Sequence, residues 1–413
     1  MKATLATTAV FAGLTSLAAI PTATNVSVVQ QQDRSVIIDY ELVKAEGSET
    51  ADPCIATVDI LTNGVSIGGA YLGNLGGDVN KVVNSEGDGI GKKRILWNPL
   101  ETWPGHKVPQ NDIKAKLTLW SLSNPPKYMV KDMVTQTVAD DRYYDDVDQI
   151  PGGVQDVLYK SKKMVFRHVP AKGVTWKQGD PSNGNSYDWY CCRYVTFSYD
   201  YWMSIYEVTH SQLHYLGVRH DATGDYRDEK YAEDYTSGDP IQRGQIRDRD
   251  DLWPDNGHEG VCDNDWIKKI RDKMDGVMVD LPTYAEWEYA CRAGSGTTYY
   301  WGEDASEAGK YAWYNGNSDG VRHEVGTRLP NAFGLYDMLG NCFEYVLDFA
   351  QQRSNAAVWD PVGVSKAESS DECMFVCGGS FDKDIFSAWK TGEWPSSTTW
   401  NNYAAIRLTL IIK

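Results

Sequence analysis

The chain has 413 residues, enough for two or three domains and at least one large core. Its formal charge of −17 argues against a nucleic-acid backbone or an anionic membrane surface as partner. Aromatic residues at 12% and charged residues at 23% are the composition of an ordered protein.

The N-terminus reads as a secretory signal over residues 1–23. Lys2 precedes the small and apolar run Ala3–Ile20, which is short for a membrane span, and cleavage is expected near Ala19 to Ala23. No later stretch is long and apolar enough to span as a helix. The expected location is secreted, periplasmic or cell-surface, with no transmembrane segment.

Residues 24–121 read as an all-β sandwich of fibronectin or immunoglobulin type. In SVIIDYEL the apolar Val36, Ile38, Tyr40 and Leu42 alternate with other residues, the period of a strand with one buried face. IATVDILTNG ends in Asn63-Gly64, a hairpin turn signal. Ile113, Ala115, Leu117 and Leu119 alternate with Lys114, Lys116 and Thr118. Residues 122–163, broken by Pro125-Pro126 and rich in Asp and Tyr, read as a connector.

A second domain is expected over 164–413. Thr209 followed by Gln212 predicts a capped helix start, and Trp266–Met274 predicts a short amphipathic helix. Between them, 217–256 is a charged excursion. In LPTYAEWEYACRAG, Thr283 and Glu286 form a capping box, so that Trp287, Ala290 and Cys291 share one helical face. In NAFGLYDMLGNCFEYVLDFA, Asn341, Glu344 and Asp348 place oxygen donors close together, the hard ligands that Ca²⁺ takes. Alternatively, Asn341 caps a helix that Glu344 closes at its third position. Near the end, Gly378-Gly379-Ser380 forms a turn with no histidine beside the serine. No HExxH, G-x-S-x-G or Walker loop occurs, and no catalytic residue is assigned. The eight cysteines, Cys54, Cys191, Cys192, Cys262, Cys291, Cys342, Cys373 and Cys377, contain no CxxC; disulfides and buried thiols both remain open.

Taken in order, these segments resemble the formylglycine-generating enzyme or sulfatase-modifying factor domain family. The carriers are "YEVT" at Tyr206–Thr209, LPTYAEWEYACRAG, the segment VGTRLPNAFGLYDMLGNCFEYVLDFA, CGGSF at Cys377–Phe381, and AAIRLTL near the end. Phe343 and Tyr345 stand at two positions where the family has tryptophan. The resemblance implies an α+β fold related to C-type lectins. It also implies calcium as cofactor, held by Asn341, Glu344 and the carbonyls of Gly340 or Cys342, with a looser second set at Asn315 and Asp319. Family enzymes oxidise a substrate cysteine through two copper-binding cysteines after the Gly-Gly-Ser turn. The matching positions here are Lys383 and Ala388, and neither side chain can replace a soft thiolate.

The resulting expectation is an exported, non-catalytic domain protein that acts in extracellular binding, adhesion or assembly. Its partners would be a glycan, an extracellular protein or further copies of itself, and not nucleic acid. The alternative is a metal-dependent oxidoreductase of the same family with a non-standard site. For iron, the E-x-x-H-x-x-x-H set Glu207, His210 and His214 is the candidate.

Overall fold

The computed structural model describes residues 20–45, 53–84, 91–106, 112–137, 140–216, 266–274, 277–349, 351–363, 373–395 and 404–412. The expected signal segment up to residue 19 and the charged excursion 217–256 lie outside the described residues. The chain forms two compact units, Met1–Val130 with Ala139–Asp156, and Lys131–Val138 with Val157–Lys413.

The first unit is β-rich, as its alternating residues predict. Strand Val36–Val43 buries Val36, Ile38, Tyr40 and Leu42 in alternation and pairs on one side with Thr22–Gln30, on the other with Lys92–Trp97. A second sheet is built on Cys54–Thr62, which pairs along its whole length with Ile113–Ser121. The turn at Asn63-Gly64 has φ of 52° and 78°, the left-handed pair that a tight two-residue hairpin requires. One apolar cluster joins the inner faces of both sheets, with Ile38, Tyr40, Val58, Ile60, Ile95 and Trp97 at its centre. Burying such side chains is worth about 1.5–3 kcal/mol each, before the entropy of ordering them is charged.

The stretch 122–163, read as a connector or a pair of edge elements, contains regular structure. It carries strands Tyr128–Asp132 and Arg142–Tyr144, and its residues are shared between the two units. The physical reason is aromatic: Tyr128, Tyr143 and Tyr144 are buried, so the segment has apolar area to bury despite its aspartates.

The second unit mixes short helices with several sheets, two of which frame the sequence motifs. In one, Tyr201–Ser204 lies between Lys163–Val169 and Thr409–Ile412, and the latter also pairs with Val277–Asp280. In the other, the order is Thr391–Pro395, Cys373–Cys377, Phe343–Phe349, Ala404–Ala405. Helix Tyr284–Arg292 starts at Thr283 with both arms of the expected capping box formed, and all nine of its residues are buried. Helix His210–Tyr215 starts the same way: Thr209 N–H donates to Gln212 Oε1 (3.0 Å) and Gln212 N–H to Thr209 Oγ1 (3.3 Å). Trp266–Lys273 is helical, as its amphipathic pattern predicts.

The helix expected after Asn341 is instead the strand Phe343–Phe349, buried at every residue. Fully buried runs lose the alternation that marks a strand, so periodicity alone could not separate the two. Its β-branched and aromatic content matches the observed state.

Candidate functional site

The Gly-Gly-Ser loop leaves strand Cys373–Cys377 through two left-handed glycines, Gly378 at φ 85° and Gly379 at φ 78°. It is clamped at both ends of the turn. Gly340 N–H donates to Gly378 O (2.8 Å), and Phe381 N–H donates to Asn341 O (2.9 Å). Ser380 is buried, and its hydroxyl donates to Asp382 Oδ1 at 2.5 Å; Lys383 Nζ reaches Asp382 Oδ2 at 3.0 Å. The serine is therefore committed to a carboxylate beside an amine, and among the described residues no imidazole is bonded to it. Ala388 is fully buried, and its N–H donates to Thr298 O (2.9 Å). The loop also borders the candidate second metal set. Asn315 N–H donates to Lys383 O (3.0 Å), and Asn315 Nδ2 donates to Asp384 Oδ1 (2.7 Å). Asn315 and Asp319 are both exposed.

Five cysteines of this unit, Cys191, Cys192, Cys291, Cys342 and Cys377, carry free thiols; the side chain of Cys373 and the whole of Cys262 lie outside the described residues. Burial pushes the Cys291, Cys342 and Cys377 thiols well above their usual range, with neighbouring carboxylates adding to the shift for Cys377. These are neutral, inert thiols and not metal-ready thiolates. The expectation of a disulfide thus finds no pair among them.

The segment Gly340–Glu344 is organised by protein groups. Gly340 takes φ 87°, and a Cβ there would lie 2.3 Å from Trp313 O. Asn341 follows at φ 57°, a region that Asn tolerates better than most residues. Its Oδ1 accepts from His323 N–H (2.9 Å), and its Nδ2 donates to Glu207 Oε2 (2.7 Å). Cys342 N–H donates to the other Glu207 oxygen (3.0 Å). Glu344 accepts from Arg407 Nε at 2.9 Å on both oxygens, from Arg407 Nη2 at 2.5 Å, and from Trp287 Nε1 at 2.6 Å. Arg407 also donates to Ser204 O and Tyr336 O, both at 2.8 Å, and is fully buried.

These bonds decide how well the expected metals fit. A Ca²⁺ ligand must present free lone pairs from several oxygens. Both Glu344 oxygens already face a guanidinium and an indole N–H, so the Glu344 carboxylate does not fit calcium: the cation beside it is Arg407. Glu207 does not fit iron, because it is buried with both oxygens bonded. Burial first, then the carboxylates of Asp337 and Glu344, push its pKa well above the usual range. The side chains of His210 and His214 lie outside the described residues. Lys383 and Ala388 do not fit copper. Among the described residues, no group of three or more His, Cys, Asp or Glu is placed to hold a metal ion.

Sequence reasoning singled out Asn341, Glu344 and Glu207 but missed their partners Arg407, Trp287 and His323. A signal was present: Arg407 lies inside the apolar run AAIRLTL, where an unpaired charge would be costly. It also missed the stack in which Trp313 lies between His323 (ring centroids 3.5 Å apart) and Arg328 (3.4 Å).

The second unit resembles known proteins. The sequence profile of the sulfatase-modifying factor enzyme 1-like domain matches residues 167–408. The chain is 43% identical over 76 residues to the formylglycine-generating enzyme of Mycobacterium tuberculosis, covering 16% of this chain and 25% of that one. It is 28% identical over 187 residues to the chaperone protein LppX of Paenibacillus barcinonensis, covering 38% of this chain and 64% of that one. The matches thus span a quarter and just under two thirds of those relatives. Among solved structures, Treponema denticola variable protein 1 is similar at a TM-score of 0.44 and 18% identity, covering 60% of this chain and 95% of that one. PvdO from Pseudomonas aeruginosa is similar at 0.41 and 20% identity, covering 63% and 98%. With more than half of its length matched, in the unit that carries the Gly-Gly-Ser loop and the Glu344–Arg407 pair, this chain belongs to the sulfatase-modifying factor enzyme 1-like domain family.

Proposed function

We propose that the protein is an exported, non-catalytic member of this family, in which a formylglycine-generating-enzyme-like domain acts in extracellular binding or assembly. The first unit, in this reading, is a fibronectin- or immunoglobulin-like sandwich that presents it. One observation carries the proposal: the loop after Ser380 offers no thiol. At the positions of the family's cysteine pair, Lys383 is held against Asp382 and Ala388 is a buried methyl group. Cys377, just before the turn, is buried and held protonated. An amine and a methyl group supply neither a soft ligand nor a redox-active sulfur.

The test is a competitive Cu(I) titration of the purified full chain, with an assay for oxidation of a cysteine-containing peptide. The wild type should show no tight site and no turnover. The double variant Lys383→Cys with Ala388→Cys should gain Cu(I) affinity. Stoichiometric copper in the wild type, or turnover that is lost on changing residues after Ser380, would overturn the proposal in favour of an oxidoreductase with a non-standard site.

A further inference from the structure

The first unit carries a cleft that the family match, which begins at residue 167, does not reach. It encloses about 220 Å³, and its lining includes Trp97, Leu100, Trp103 and His106 together with Gln31 and Arg34. That is below the roughly 300 Å³ at which pockets for drug-sized ligands begin, and it suits one small ring. The aromatic wall is ordered. Trp103 stacks on His106 with ring centroids 4.1 Å apart and planes 11° apart. Trp97 lies 6.3 Å from Trp103 at 30°, with its Nε1–H donated to Tyr71 O. Leu100 is 49% exposed, and His106 is exposed.

The polar side comes from the turn between the first two strands. Gln31 N–H donates to Ser35 O (2.7 Å), and Asp33 accepts from Ser35 N–H (3.0 Å) and its hydroxyl (2.6 Å). Within this turn Arg34 is held at φ 71°, where glycine or asparagine is the ordinary occupant and a larger side chain costs stability. Among the described residues the Arg34 guanidinium has no carboxylate or hydrogen-bond partner, in a protein whose net charge is −17. The Gln31 side-chain amide is likewise unengaged. A strained, unpaired cation beside a stacked aromatic wall has no structural partner to account for it.

The occupant that matches both halves has one flat apolar face, hydroxyls at its edge and a carboxylate. We propose that this cleft binds a uronic-acid residue of an acidic glycan. Its pyranose C–H face would lie on the Trp103–His106 wall, its hydroxyls would meet Gln31, and its carboxylate would pair with Arg34. A guanidinium fork matches carboxylate geometry, and the stack supplies contact area without fixing sequence or linkage. The inference concerns the first unit alone and stands or falls independently of the proposal for the Gly-Gly-Ser loop.

The experiment uses the full chain with three probes: methyl β-D-glucuronide, methyl β-D-glucoside and benzoate. Affinity is measured by calorimetry, and contact by saturation-transfer NMR. The glucuronide should bind about tenfold or more tightly than the glucoside, the gain expected for one charge-assisted pair. Arg34→Gly should erase that difference without lowering the melting temperature, because glycine relieves the left-handed backbone. His106→Ala should weaken both sugars. Equal binding of the two sugars, binding of neither, binding of benzoate alone, or a preference that survives Arg34→Gly would each overturn the assignment.

Discussion

Replacing Arg407 by methionine should destabilise the second unit by about 3–5 kcal/mol, the cost of removing one partner from a buried ion pair. The guanidinium is fully buried and donates to Glu344, Ser204 O and Tyr336 O. Methionine fills comparable volume, so little of the loss comes from a cavity. What remains is a buried Glu344 carboxylate that keeps only Trp287 Nε1, and two carbonyls that lose donors at about 1 kcal/mol each. Against a typical domain stability of about 5–15 kcal/mol, this is a third or more of the total. The assay is urea unfolding, with hydrogen exchange localising the loss to peptides covering 343–349 and 404–412. The variant Glu344→Leu with Arg407→Met should recover part of the loss. A deficit under about 1 kcal/mol, or a double variant less stable than Arg407→Met alone, would refute the claim that Arg407 is the counter-ion of Glu344.

Other residues give further tests. Gly340→Ala should cost about 2–4 kcal/mol, since its Cβ would meet Trp313 O at 2.3 Å in a left-handed backbone, whereas Gly64→Ala, with φ 78° and open space, should cost about 1–2 kcal/mol. Equal melting shifts for the two would remove the steric account of Gly340. Thr283→Ala deletes the cap on Tyr284–Arg292 and should lose about 1 kcal/mol in chemical denaturation; Thr283→Ser should restore most of it. Burial raises Glu286 from 4.5 to about 7, against the lowering effect of its bonds from Thr283 and Tyr199. Its folded pKa lies above the unfolded one, so the cost of keeping it ionised is absent below about 4.5 and complete above about 7. Glu286→Gln keeps an acceptor for Thr283 N–H and should gain on the wild type as pH rises from 5 to 8; parallel stability profiles would contradict this.

Local physics made much of this protein readable from its sequence. The alternation of Val36, Ile38, Tyr40 and Leu42, the turn at Asn63-Gly64 and the boxes at Thr209–Gln212 and Thr283–Glu286 each follow from interactions within a few residues. The ordered motifs from Tyr206 to Leu410 identified the family for the same reason: they lie in the chain in a fixed order, and no folding is needed to see them. The strand Phe343–Phe349 escaped, because a run buried on both faces carries no period.

The site was legible in its residue types but not in its partnerships. Asn341 and Glu344 look like calcium ligands as long as their neighbours are unknown, because a carboxylate and an amide oxygen have the same chemistry in either role. The groups that decide the matter arrive from far along the chain: Glu207 is 134 residues from Asn341, and Arg407 is 63 from Glu344. The sequence alone determined that the loop after Ser380 has no thiol, since absence of a residue type is a local fact. Only the tertiary structure decided which cation Glu344 faces, because a buried carboxylate takes whichever positive group the fold brings within hydrogen-bonding distance.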